Sequence, residues 1–204
     1  FPNNCSPMMG LHPCDAKENT LSSELNHVEE ELEKGNYIAV GEIGLDLYWD
    51  KSTLAIQKKA FIRQIELAKK HNLPIVIHVR DSFSEAIEII ESLNDKILRG
   101  VFHCFTGNIE DAQRVINLDG FYLGIGGVLT FKNSGLDNTI ATIDIQHLIL
   151  ETDSPYLAPA PFRGKRNESK YLITIAQKLA EVHNISIEKV AEITTKNAKQ
   201  LFDL

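Results

Sequence analysis

The sequence contains no apolar run near the roughly 20 residues that a membrane helix needs, which excludes a helical membrane span. Its start shows no signal-peptide pattern. Cysteine is scarce. Cys5, Cys14 and Cys104 are an odd set of three with no Cys-x-x-Cys pair, and the simplest reading is reduced thiols in a cytoplasmic protein. An excess of positive charge is also absent. Lys+Arg number 21 against 28 Asp+Glu, for a net charge of −7 and a pI near 5.5. Proteins that grip nucleic acid by broad phosphate neutralisation are basic. A phosphate ester substrate would therefore have to be held locally, with metal assistance. Repeats, linkers and low-complexity segments are lacking too, so residues 1–204 read as one domain. The start, Phe1-Pro2-Asn3-Asn4, has no Met and reads like the middle of a polypeptide. The expectation is that further residues precede it.

What is present suits a single large core: 204 residues, 43% hydrophobic and 24% charged. Short apolar runs alternate with stretches of helical spacing. Leu21, Leu25, Val28 and Leu32 predict a helix stopped near Gly35, and Phe61, Ile65 and Ala68 mark one face of a helix over 54–71. Ser82-Phe83-Ser84-Glu85 predicts a capping box before Ala86, Ile89 and Leu93, and Asn108 predicts a cap before Ala112 and Val115. Strands are expected near 7–11, 38–42, 75–78, 97–102, 122–128 and 148–150, with a short helix over 136–143 and two helices closing the chain. Gly124-x-Gly126-Gly127 is too weak for a phosphate loop and is better read as tight strand packing. Strands alternating with helices give a parallel sheet, and in an α/β TIM-type (β/α)8 barrel the active site gathers at the C-terminal strand ends. Only six strands are legible, so the expectation is such a barrel lacking its first two strands.

Four runs end in chemistry. Ile38-Ala39-Val40 leads to Gly41-Glu42, Ile75-Val76-Ile77 to His78, Val101-Phe102 to His103, and Leu148-Ile149-Leu150 to Glu151 and Asp153. Strand alternation would point Glu151 and Asp153 the same way. A proline-stiffened loop follows, carrying Arg163, Lys165 and Arg166, and a basic loop beside a metal-ligating strand end can hold an anion. Any one of these residues has a plain structural account: a hydrogen-bonded histidine, a buried ion pair, a turn cap. Recurrence at four strand ends favours a metal or acid–base site. Cys104, next to His103, should face away into the core. His27, His71, His147 and His183 read as solvated or structural.

With those residues set out, the chain resembles the TatD family of metal-dependent deoxyribonucleases, within the amidohydrolase-like barrels. The likeness runs from end to end. Its motifs are Gly10-Leu11-His12-Pro13, Gly41-Glu42-Ile43-Gly44-Leu45-Asp46, Ile77-His78-Val79-Arg80, Phe102-His103-Cys104-Phe105-Thr106-Gly107, Glu151-Thr152-Asp153-Ser154-Pro155-Tyr156-Leu157 and Arg163-Gly164-Lys165-Arg166-Asn167. The resemblance implies hydrolysis of DNA phosphodiesters, as a 3'-5' exonuclease, by a monomer without membrane association. It implies a divalent metal centre of two ions (Mg²⁺, Mn²⁺ or Zn²⁺). Glu42 would bridge or ligate the metals, His78 and His103 would complete one position, and Asp153 would ligate metal and act as general base. His12, Arg163 and Asn167 would bind substrate. An oxygen and nitrogen ligand set without thiolate suits these ions.

Two departures stand out. The family opens with a strand ending in His-x-His, and this sequence contains no His-x-His. Cys14 stands where many relatives have a second histidine after the proline of Gly-x-His-Pro. The alternatives are an amidohydrolase-type enzyme acting on an amide, lactone or nucleobase, since fold does not settle substrate, and a truncated, inactive relative that binds a partner.

Overall fold

Residues 5–204 are described in the computed structural model. They pack as two compact units: residues 5–101 with 118–120 and 201–203, and residues 102–117 with 121–200 and 204.

In the first unit, β1 (Met8–Met9), β2 (Ala39–Asp46) and β3 (Ile75–Arg80) run parallel, Met9 pairing Val40 and Gly44 pairing His78. Strand β2 is apolar almost throughout and buried on both faces, as parallel strands between helices are. Helices α1 (Leu21–Leu32), α2 (Leu54–His71) and α3 (Phe83–Leu93) belong to this unit. The buried face of α2 includes Phe61 and Ile65, both fully enclosed. Each contributes about 2 kcal/mol by burial. Lys69, Lys70 and His71 fill its last turn, where the helix dipole favours cations, and Asn72 ends it in the left-handed conformation.

Two glutamines on that same buried face do what apolar residues could not. The Gln64 amide nitrogen donates to the Leu11 carbonyl at 3.1 Å, and its oxygen accepts from the Leu11 N–H at 2.6 Å. Two turns earlier on the helix, Gln57 accepts from Asp46 N–H and donates to the Asp46 carbonyl, both at 2.8 Å. Each buried amide thus satisfies both backbone groups of one residue, which would otherwise carry a desolvation penalty. The chain is anchored next to His12 and at the end of β2.

In the second unit, β5 (Phe121–Ile125) pairs in parallel with β6 (Leu148–Leu150), Leu123 against Leu148. Helices α4 (Ile109–Ile116), α5 (Leu136–Ile140), α6 (Leu172–His183) and α7 (Ile187–Phe202) complete the alternation. The predicted cap of α4 is present as a full capping box, Asn108 accepting from Asp111 N–H and Asp111 accepting from Asn108 N–H. The buried Asn197 of α7 donates to the Ile145 and Leu148 carbonyls and ties α7 to β6. The remaining strand, β4 (Gly100–Phe102), is shared between the units.

Several expectations are corrected. The capping box at Ser82 does not form: its hydroxyl donates to the Leu45 carbonyl at 2.8 Å, a tertiary bond in place of a local one. Strand β4 starts at Gly100 because the Asp95 carboxylate accepts from the Ile97 and Leu98 N–H groups and holds them in a turn. Strand β5 stops at Ile125, and a 3-10 turn takes up Gly127–Thr130. Helix α5 ends at Ile140, short of the expected 143. Cys104 is half-buried rather than core. It lies past the end of β4 at φ 46, where strand alternation no longer applies, and Phe105 is the buried neighbour instead.

Candidate metal centre

Glu42 lies inside β2, not at its end. The register of β2 on β3 slips between Val40 and Ile43, and Glu42 occupies that irregularity. Bulges of this kind re-aim a side chain out of the regular alternation. Glu42 is the one residue of β2 that is not buried. His78, from the neighbouring strand, lies beside it. The His78 Nε2 lies 2.9 Å from an Asp46 carboxylate oxygen, and its Nδ1 lies 3.8 Å from Glu42 Oε2. Asp46 is 4% exposed. Burial pushes its pKa up, but the His78 bond and the Tyr48 N–H at 3.0 Å outweigh this and leave it below the usual carboxylate value. Burial also lowers the pKa of His78, against the opposing pull of the Asp46 bond and with further lowering from His12. His78 is thus neutral near pH 7. With its Nε2–H given to Asp46, its Nδ1 lone pair faces Glu42.

His12 completes this group. Its ring meets the His78 ring edge to face, with centroids 4.5 Å apart, and its Nε2 is 3.9 Å from Glu42 Oε2. The Cys14 N–H donates to its Nδ1 at 3.2 Å. With Nδ1 accepting, that bond assigns the ring proton to Nε2. One ligand atom each from His12, Glu42 and His78 lies within 4.8 Å of the others.

The second unit repeats the pattern with different residues. His103, just past β4, has its Nδ1 3.0 Å from Glu151 Oε1 and its Nε2 3.6 Å from Asp153 Oδ1. Glu151 also accepts from the Cys104 N–H at 2.8 Å, which fixes its carboxylate. Space for that carboxylate is provided by Gly124 of β5, where a Cβ would overlap it. Strand alternation is not what aims the two acids. Strand β6 ends at Leu150, and Asp153 sits at φ 57 in the left-handed region, which Asp tolerates better than most residues. The two carboxylates consequently approach opposite nitrogens of one ring.

His78 and His103 are each held by a close carboxylate, at 2.9 or 3.0 Å, and turn the other nitrogen toward a second carboxylate at 3.8 or 3.6 Å. A neutral imidazole whose first N–H is committed offers a lone pair at the second nitrogen. A carboxylate oxygen and such a nitrogen side by side can ligate one cation. The donors are carboxylate oxygen and imidazole nitrogen, which suits Mg²⁺, Mn²⁺ or Zn²⁺.

The close carboxylates, Asp46 and Glu151, stood in the sequence motifs without an assigned role. Their signal was present: an acid four residues after Glu42, and one two residues before Asp153. Outer partners of this kind orient a ligating ring and raise its basicity. Asp46→Asn and Glu151→Gln are each expected to weaken Mn²⁺ or Zn²⁺ binding by about 10- to 100-fold, as read by isothermal titration calorimetry. Affinity unchanged within about twofold would show that the rings are held by packing alone.

Arg163 and Asn167, both expected to bind substrate, differ in their settings. Arg163 is exposed and lies over the Phe131 ring, its Cζ 3.6 Å from the centroid. Asn167 is 1% exposed. Its amide nitrogen donates to the Thr152 carbonyl at 2.5 Å and the Tyr156 carbonyl at 2.6 Å, and its oxygen accepts from the Glu168 N–H. Asn167 is built as the tether of the Asp153 loop.

Comparison with known proteins finds relatives over most of the chain. The chain is 43% identical to the uncharacterized metal-dependent hydrolase YabD of Bacillus subtilis, over 95% of this chain and 76% of that protein. The crystal structure of YJJV, a TatD homolog from Escherichia coli K12, superposes with a TM-score of 0.86 at 28% identity, over 97% of this chain and 76% of that one. A TatD family hydrolase from Entamoeba histolytica gives a TM-score of 0.80 at 25% identity, over 96% and 73%. Fold and site together define a metal-dependent hydrolase of the α/β TIM-type barrel class, with six of its strands among the described residues. Residues 1–203 match the family described as TatD related DNase, and the chain belongs to that family.

Proposed function

We propose that this protein hydrolyses phosphodiester bonds of DNA, removing nucleotides from 3' ends, with two divalent ions held by Glu42 and His78 in the first unit and by His103 and Asp153 in the second. The observation that carries this reading is the repeated placement of an imidazole nitrogen and a carboxylate oxygen within reach of one cation, His78 with Glu42 at 3.8 Å and His103 with Asp153 at 3.6 Å. The family description as a DNase supports the substrate class, as does the exposed Arg163 beside Lys165 and Arg166. Bound divalent ions would supply Lewis acidity, acidifying water and neutralising phosphoryl charge.

The protein groups do the rest. The Asp153 carboxylate accepts the proton of the attacking water. His12, its proton on Nε2, donates toward a phosphoryl oxygen. Arg163 pairs with a phosphate of the strand, its guanidinium oriented by the Phe131 ring beneath it. Asn167 acts through the loop: by holding the Thr152 and Tyr156 carbonyls it keeps Asp153 at its left-handed turn.

The test is cleavage of an end-labelled DNA oligonucleotide with Mg²⁺, Mn²⁺ or Zn²⁺ against EDTA. Stepwise loss of 3' nucleotides only with metal is the expected result. Cleavage insensitive to chelator, or none with any of the three metals, overturns the reading.

A further inference from the structure

The first unit exposes a cluster of π groups next to its metal-ligand cluster. Trp49 is 76% exposed and Tyr48 50% exposed. Their rings meet edge to face with centroids 4.8 Å apart. The Arg80 guanidinium lies over the Tyr48 ring at 3.6 Å and 5.8 Å from the Trp49 centroid. Single exposed aromatics are ordinary on protein surfaces. Three π systems in mutual contact, two of them aromatic and one cationic, are a different matter.

Their placement ties them to the site. Tyr48 and Trp49 leave β2 directly after Asp46, and the Tyr48 N–H binds the Asp46 carboxylate that holds His78. Arg80 lies two residues after His78 on β3, and its carbonyl accepts from the Leu47 N–H at 2.9 Å. The backbone that orients the metal-ligand cluster therefore also orients the aromatic pair. Arg80 covers one face of Tyr48, while most of the Trp49 indole meets solvent.

We infer that Trp49 is a stacking platform for a nucleobase of a single-stranded DNA substrate, with Arg80 pairing the adjacent phosphate. An indole face accepts any base, because every base has a π face. A guanidinium already stacked on Tyr48 loses little freedom when it pairs with a phosphate. This combination of aromatic stacking and local positive charge is how single strands are gripped without sequence preference. It also answers the acidic balance of the chain, whose net charge of −7 leaves no broad field to hold DNA.

The assignment rests on the proposed action on DNA, and the experiment separates the two. Trp49 is the sole tryptophan of the chain, so its fluorescence reports on the platform directly. The metal-loaded protein is titrated with a phosphorothioate single strand that resists hydrolysis, and with an abasic strand of equal length. Saturable quenching by the first and little by the second is expected. In exonuclease assays Trp49→Ala is expected to raise KM about tenfold with a far smaller change in kcat, and Trp49→Phe to recover most of the loss. Equal quenching by the abasic strand, or a KM within about twofold of the parent in Trp49→Ala, overturns the stacking role while cleavage itself persists. Absence of all metal-dependent cleavage and binding by the parent protein removes the nuclease reading, and the platform with it.

Discussion

Replacing Glu42 by Ala is expected to lower metal-dependent DNA cleavage by at least about 100-fold. Glu42 sits at the register slip of β2, facing the lone-pair nitrogen of His78 at 3.8 Å and the Nε2 of His12 at 3.9 Å. Removing its carboxylate leaves the His78 nitrogen as the one remaining ligand of the pair proposed to hold the ion, with no anionic group in the trio. A cation there would lose its only charge partner in that trio, while Asp46 remains committed to His78. Glu42 is half-buried rather than core, so the variant is expected to fold. Thermal melts make the distinction. Parent protein should gain stability on adding Mn²⁺, by about 2.7 kcal/mol at a concentration 100 times the dissociation constant, and Glu42→Ala should gain far less. Near-parental cleavage by the variant would remove Glu42 from the site. A poorly melting apo variant would instead assign it a structural role.

The second large effect concerns the fold under the site. Gly44→Ala is expected to destabilise the protein by more than about 3 kcal/mol, or to prevent its folding. Gly44 adopts φ 144, a conformation that side-chain-bearing residues rarely take. A Cβ there would overlap the carbonyl oxygen of His78, the residue it pairs with in β3, and would lie 3.0 Å from the carbonyl carbon. Relief would require β2 and β3 to part at the point where they place Glu42 and His78. Gly35→Ala provides the control, since Gly35 has φ 73 but nothing within 4 Å of a new Cβ. That change is expected to cost about 1 kcal/mol, the backbone term alone. Urea denaturation of the pair measures the difference. Similar midpoints for both would show that the strands yield easily, contrary to the close packing described.

Much of this was legible along the chain, and the reasons are local. Helix α2 runs over the predicted residues because its apolar spacing and cationic last turn are properties of the segment itself. The capping box of α4 involves residues three apart. The capping box at Ser82 failed for the opposite reason: the Leu45 carbonyl, 37 residues away in sequence, competes successfully for its hydroxyl. Gln57 and Gln64 give no local signal of their role, and only packing shows each satisfying a backbone residue beside the site.

The sequence by itself determined the order of strands and helices and the placing of residues of metal-ligating type: Glu42, His78, His103 and Asp153 each follow or interrupt an apolar run. Tertiary structure decided how those residues are aimed. It set Glu42 in a register slip, turned Asp153 through a left-handed residue, and gave one nitrogen of His78 to Asp46 and one of His103 to Glu151. Periodicity reports which side of a segment faces the core, because it follows from the repeat of a single strand or helix. Which nitrogen of a ring keeps its lone pair depends on a hydrogen bond between segments, and that bond exists only once the register between strands and the path of the loops have brought the partners together.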